Sequence, residues 1–166
     1  SQVGRILGAI GLGSVNADMT PPNDLALRYE WHAGTMPPPY HYEYIIAVDP
    51  ELQGAITFYP DYPGVGVPEW HESFAVARAD RDSIYALMVR AGLFDRPYDA
   101  LRDPPVGGDT EWLVVTADGQ TVRVPVAAAR GDSLRPVYDA IRALVPEDVF
   151  DGLMAKRQEY EDNYQE

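Results

Sequence analysis

The chain lacks cysteine entirely. This absence excludes a disulfide framework, a thiolate zinc site and a cysteine nucleophile. It leaves the cellular compartment open, because exported proteins can also lack disulfides.

Positive charge is scarce. The 166 residues contain 13 basic and 26 acidic side chains, a formal net charge of −13. Twelve of the basic residues are arginine, and the one lysine is Lys156. Such a charge repels both a phosphate backbone and an anionic lipid surface. We therefore expect no nucleic-acid partner.

Long apolar runs are also missing. Residues 3–15 are apolar and rich in glycine, but they are too few to cross a bilayer, so we expect no membrane span. We interpret residues 1–20 as an apolar N-terminal arm of a cytoplasmic protein. If residues 1–17 instead act as a weak signal peptide, the protein is exported. Residues 20–24, TPPND, favour a turn that interrupts regular secondary structure. They separate the arm from a single domain at 21–166.

What the sequence does contain is enough apolar material for a core, since 46% of its residues are hydrophobic. Residues 25–32 and 40–48 alternate between apolar and polar side chains, as half-buried strands do. We predict further strands at 55–59 and 73–78.

A helix is predicted after the fourth strand, with Asp80 or Asp82 as its cap and Gly92 at its end. The connection that follows, residues 95–109, is unusually long for a compact domain, and such loops are sometimes functional.

The turn Asp118-Gly119 between two apolar runs is the strongest hairpin signal in the chain. A two-residue turn sets the register, so we expect Leu113 to face Val124 and Val115 to face Val122. Pro125 indicates that the second strand lies at an edge of the sheet or is bulged.

Two more helices are predicted near the C-terminus. Asp132 or Ser133 caps the first, and Pro136 fits only in its first turn. Pro146 ends that helix and begins a last, acidic one. The element order βββ(β)αββαα predicts an α+β fold, an antiparallel sheet of about six strands with helices packed on one face.

The segment TMPPPYHYEYIIAV, residues 35–48, attracts attention because three prolines lead into alternating tyrosines. Its residues 37–40, PPPY, match the PPxY pattern that WW domains bind. The pattern is short, and we favour a stiff turn between the first two strands, with Tyr40 facing inward.

Polar side chains alternate with those tyrosines. If the first two strands pair with His32 opposite His41 and Glu30 opposite Glu43, two imidazoles and two carboxylates share one exposed patch. Like charges opposite one another are unfavourable unless a divalent metal, a shared proton or Arg28 compensates. Imidazole and carboxylate suit zinc or iron, so these four residues form a candidate metal site.

Aromatic residues are the other candidate. The chain has 11 tyrosines and 3 tryptophans, and these residues favour interfaces. The residues that we predict to contact a ligand or partner are Tyr40, Tyr59, Tyr62 and Trp70.

Three functional hypotheses follow. The first is a non-catalytic binding domain without a cofactor, which presents an aromatic, acidic surface to a protein or small ligand. The second is a divalent-metal binder or metal-dependent enzyme that uses the His/Glu patch. The third is a self-assembling structural subunit that uses the arm and the C-terminal helix. The sequence carries no GxSxG nucleophile motif, and we favour binding over catalysis.

Overall fold

The computed structural model describes residues 19–95, 108–126 and 134–165. Within these residues the chain forms six strands and three helices. The strands are β1 Ala26–His32, β2 Glu43–Val48, β3 Gln53–Tyr59, β4 Trp70–Ala75, β5 Thr110–Ala117 and β6 Gln120–Val124. The helices are α1 Arg78–Arg90, α2 Arg135–Arg142 and α3 Glu147–Asp162.

All six strands belong to one antiparallel sheet in the order β4-β3-β2-β1-β5-β6. The helices cover one face, and the other face is open. This arrangement confirms the predicted α+β class, with its antiparallel sheet and its order of elements. The alternation of apolar and polar residues along each strand produces the two unlike faces.

The core lies between the sheet and the helices. Ile46, Ile56 and Phe58 from the sheet are fully buried, as are Met88 of α1 and Tyr138 of α2. Aromatic rings extend this layer toward one end of the sheet, where Tyr29, Trp31, Tyr42 and Tyr44 pack together.

The predicted hairpin is confirmed. Leu113 pairs with Val124 and Val115 with Val122. Asp118 and Gly119 both have positive φ, 52° and 72°, as a tight turn that matches the strand twist requires. Strand β6 lies at the edge of the sheet, where Pro125 costs no ladder hydrogen bond.

Several predicted boundaries are wrong. The fourth strand starts at Trp70, three residues earlier than expected, and α1 already begins at Arg78. Its N-cap is Ala77, without a side-chain hydrogen bond, so neither Asp80 nor Asp82 caps it. The helix is therefore held by the burial of its apolar face rather than by its cap.

The two C-terminal helices, α2 and α3, both begin next to a proline. Leu134 is the N-cap of α2, and Pro136 lies in its first turn as predicted, while Pro146 precedes α3. The caps expected at Asp132 and Ser133 lie outside the described residues, as do most of the arm and most of the long connection after α1.

The predicted register of β1 and β2 is wrong by two residues. His32 pairs with Glu43, and Glu30 pairs with Ile45. A shift by two keeps every side chain on its predicted face, because side chains alternate with a period of two. Tyr40 is a second correction: it precedes β2, and it is exposed rather than turned inward. The prolines do form a turn, closed by the Tyr40 N–H bonding to the Pro37 carbonyl oxygen at 2.9 Å.

One end of the sheet collects the β1–β2 loop, residues 33–42, and the β3–β4 loop, residues 60–69. Because β1 to β4 run antiparallel in sequence order, both loops emerge at the same end. We refer to it as the loop end. The candidate site residues lie here.

Candidate functional site

The four predicted His and Glu residues come together at the loop end, despite the register error. Glu43 is the centre of the group. Its Oε2 lies 2.6 Å from Nε2 of His41 and 3.1 Å from Nδ1 of His32. His32 Nε2 lies 3.4 Å from Oε2 of Glu30, which completes the set. We call these four residues the His/Glu cluster.

Hydrogen-bond chemistry constrains the protons of the cluster. His41 Nδ1 lies 3.3 Å from the carbonyl oxygen of Gly34, and a carbonyl only accepts, so this nitrogen carries a hydrogen. A second hydrogen must lie between His41 Nε2 and Glu43 Oε2, on the ring or on the carboxyl group. His41 and Glu43 thus form a buried hydrogen-bonded pair, with His41 Nε2 and Glu43 Oε2 2.6 Å apart.

Aromatic rings enclose both imidazoles. The His41 ring stacks on Tyr62, with centroids 3.8 Å apart and planes 5° from parallel. The His32 ring lies 4.6 Å from that of Trp112, which extends from the neighbouring strand β5. The rings hold the imidazoles in place and exclude water from part of the cluster.

The two glutamates do not lie opposite each other in the observed register, and each has a partner of its own. Arg28 donates from Nε to Oε1 of Glu30 at 3.0 Å, and Glu43 is hydrogen-bonded to His41. Among the described residues, no three His, Asp or Glu side chains are arranged to hold a metal ion together. Glu30, His32, His41 and Glu43 as ligands of zinc or iron therefore stay a prediction.

The four aromatic residues predicted to bind a ligand are placed differently from one another. Tyr59 pairs with Glu43 and lies on the open face, where burial and a bond to Glu69 raise its pKa. Trp70 is on the helix-covered side, stacked on Phe58 with Lys156 Nζ 5.6 Å from its ring. Tyr40 lies on the β1–β2 loop, and Tyr62 lies on the β3–β4 loop.

Among the described residues, the exposed large apolar side chains are those of Met36, Tyr40, Tyr62 and Val65. All of them lie on the two loops of the loop end. We call them the aromatic loop surface. Sequence alternation missed Met36 and Val65, because neither belongs to a periodic segment.

Helix α3 supports the aromatic loop surface from behind. Its Arg157 donates from a terminal guanidinium nitrogen to the Tyr40 carbonyl oxygen at 3.2 Å. Its Tyr160 donates to the buried carboxylate of Asp61 at 3.2 Å. Burial and this carboxylate raise the Tyr160 pKa. A groove of about 450 Å³ runs between the helix and the β3–β4 loop, lined by Gly66, Trp70, Lys156, Tyr160 and Tyr164 among others.

A second group of residues was not predicted from the sequence. Glu111 of β5 receives two hydrogen bonds from the Arg135 guanidinium of α2, and one from the Tyr29 hydroxyl at 2.5 Å. Burial and the Glu111 carboxylate raise the pKa of Tyr29, and the same carboxylate raises that of Arg135. These residues are far apart in sequence, so no local spacing pattern could reveal them.

A scan against protein-family models and a search of curated proteins each found no match to this chain. None of the helices in the described residues is long and apolar enough to cross a membrane.

Proposed function

We propose that this chain is a non-catalytic binding domain whose aromatic loop surface contacts a protein partner. One observation carries the proposal: the four exposed large apolar side chains of the described residues all lie on two adjacent loops at one end of the sheet. Scattered exposed apolar residues need no explanation, but a group of them typically marks an interaction site.

Hydrogen bonds join the two loops of the surface, which favours binding because ordered loops lose less conformational entropy when a partner docks. The Tyr62 hydroxyl donates to the Met36 carbonyl oxygen at 2.7 Å and accepts from the Met36 N–H at 3.3 Å. The Tyr62 ring rests on His41, which Glu43 holds in turn. On this proposal the His/Glu cluster positions the recognition loops rather than performing chemistry.

The net charge of the chain favours a partner with a basic surface. With a net charge of −13 it attracts basic surfaces and repels acidic ones. The half-exposed carboxylate of Glu69 lies on the β3–β4 loop itself. We therefore propose that the partner presents arginine or lysine side chains around an apolar anchor.

A peptide-display selection with the full chain as bait tests this proposal. We expect enrichment of peptides with basic residues next to an apolar or aromatic residue. Binding should weaken as salt increases, because screening reduces charge attraction. Backbone NMR shifts caused by an enriched peptide should be largest in residues 33–42 and 60–69.

The variant Tyr40→Ala/Val65→Ser removes two exposed side chains whose loss should leave the fold intact. Enriched peptides should bind it at least about tenfold more weakly, since interface aromatics are common hot spots. The control is Leu87→Ala on α1, away from the loop end. Equal peptide binding by wild type and the double variant would refute the proposal. A second result would also refute it: one metal ion per chain in the purified wild type that is absent from His32→Ala/His41→Ala. That result would favour the metal hypothesis instead.

A further inference from the structure

A cavity of about 430 Å³ lies on the helix-covered side of the sheet, between α2 and the ends of β1, β2 and β5. This volume is in the range of sites that bind small organic molecules. Aromatic side chains of Tyr29, Trp31 and Tyr44 form one wall, and the Trp31 and Tyr44 rings are stacked with centroids 5.1 Å apart. The cavity is distinct from the aromatic loop surface.

Two guanidinium groups line the cavity, and their surroundings differ. Arg135 is fully engaged, by Glu111 and by Asp139, whose Oδ1 accepts from Arg135 Nε at 3.0 Å. Arg142 has its guanidinium carbon 3.6 Å from the Phe150 ring centroid and 5.5 Å from that of Tyr44. The guanidinium of Arg142 therefore lies against two aromatic rings.

The Nε atom of Arg142 is buried and has no hydrogen-bond partner among the described residues. Folded proteins rarely leave a buried donor unpaired, because the lost hydration costs about 1–3 kcal/mol. Phe150 and Tyr44 hold the guanidinium between aromatic rings but provide no acceptor for its Nε–H. A planar fork of donors held in this way is suited to a carboxylate, which accepts two parallel hydrogen bonds.

The remaining charges limit the ligand. The cavity is lined by Asp109, Glu111 and Asp139, so carboxylates outnumber guanidiniums there by one. A dianion such as phosphate or succinate would meet more repulsion than a monoanion. The aromatic wall favours a flat apolar body next to the charged group.

We propose that this cavity binds a small aromatic monocarboxylate, with the carboxylate on Arg142 and the ring against Tyr44 and Trp31. Nothing in the proposal requires catalysis. The site would let the domain respond to a small molecule in addition to its protein partner.

Calorimetric titration of the full chain with benzoate tests the proposal. Saturable binding of one benzoate per chain is expected in the millimolar range, the affinity typical of so small a ligand. Benzamide has the same shape without the charge and should bind at least about tenfold more weakly, as should phosphate and succinate.

Arg142→Lys keeps the charge and loses the fork, so benzoate affinity should fall by about tenfold. Arg90→Gln changes an exposed arginine of α1 and should leave it unchanged. Asp139→Asn removes one repelling carboxylate and should raise affinity by about two- to fivefold, a gain that partial unfolding cannot produce. Absence of saturable benzoate binding, equal binding of benzamide, or unchanged affinity in Arg142→Lys would each overturn the proposal.

Discussion

Glu43 illustrates how one buried side chain organises its neighbours. A single oxygen of this carboxylate faces nitrogens of both His32 and His41. The imidazoles in turn support Tyr62 and Trp112 by ring contacts. Removing the carboxylate should therefore affect both the stability of the domain and the order of the β1–β2 loop.

We expect Glu43→Ala to lower the free energy of unfolding by about 1–3 kcal/mol, because it leaves two imidazoles without their acceptor. Urea unfolding followed by circular dichroism measures this loss. The control is Glu69→Ala, whose half-exposed carboxylate lies 2.8 Å from His71 Nε2 and should contribute less than about 1 kcal/mol. If both variants lost the same free energy of unfolding, Glu43 would contribute no more to stability than the half-exposed Glu69.

Asp24 makes a different kind of contact. Its two carboxylate oxygens each accept a backbone N–H, from Asp118 and from Gly119, at 2.7 Å. These bonds favour the ionised form and lower the Asp24 pKa below its ordinary value of 3.8. The contribution to stability is complete above that ordinary value and is lost as the pH falls through the lowered one.

We expect Asp24→Asn to melt below wild type near neutral pH, and the difference to vanish in strong acid, where the wild-type carboxyl is also protonated. Thermal melts of both proteins from about pH 7 to about pH 2 would show this convergence. Asp151→Asn, on the exposed side of α3, is the matched control. A melting difference for Asp24→Asn that stays constant with pH would contradict the assignment.

At the scale of elements, the strands were the most predictable part of the chain. Alternation placed Tyr29 and Tyr44 on the core side and Glu30 and His32 on the open side, as the structure has them. Alternation cannot fix register, however, because a shift of two residues preserves every face. Only the hairpin with a two-residue turn at Asp118-Gly119 had its register determined by local chemistry.

Two glycines in regular elements should respond to alanine in opposite ways. A Cβ on Gly54 of β3 would lie 2.3 Å from Cε2 of the buried Phe74 ring, whereas one on Gly152 of α3 meets nothing within 4 Å. We expect Gly54→Ala to cost about 1–3 kcal/mol by overpacking. Gly152→Ala should add up to about 1 kcal/mol through helix propensity.

Chemical denaturation of the two alanine variants beside wild type measures both changes. Each variant adds the same methyl group, so it serves as the control for the other. A loss of stability in Gly152→Ala, or none in Gly54→Ala, would contradict the packing described for α3 and β3.

At the scale of the whole molecule, charge is the dominant property. An excess of 13 acidic residues makes the folded state repel itself, and the excess also attracts basic partners. Two of the few positive charges stabilise the fold, since Arg135 pairs with Glu111 and Arg157 lies against the Tyr42 ring.

Sodium chloride should therefore raise the melting temperature at neutral pH. Screening of the acidic excess should add about 1 kcal/mol, which corresponds to a few degrees in a domain of this size. Sodium chloride is used rather than a sulfate salt, because sulfate stabilises proteins by strengthening apolar burial as well as by screening charge. A melting temperature that falls as salt is added would mean that ion pairs such as Arg135–Glu111 outweigh the overall repulsion.

The sequence by itself determined the class of the fold, the faces of the strands, the tight hairpin and the acidic character, because periodicity, turn chemistry and charge are local or additive properties. It also indicated His32, His41 and their glutamates as a group, since all four lie on the first two strands or on the loop that joins them. The tertiary structure alone decided the register, the exposure of Tyr40, the gathering of Met36 and Val65 with it, and the cavity that contains Arg142. Those features depend on which distant segments pack against one another, and side chains brought together across more than a hundred residues leave no periodic signal in the chain.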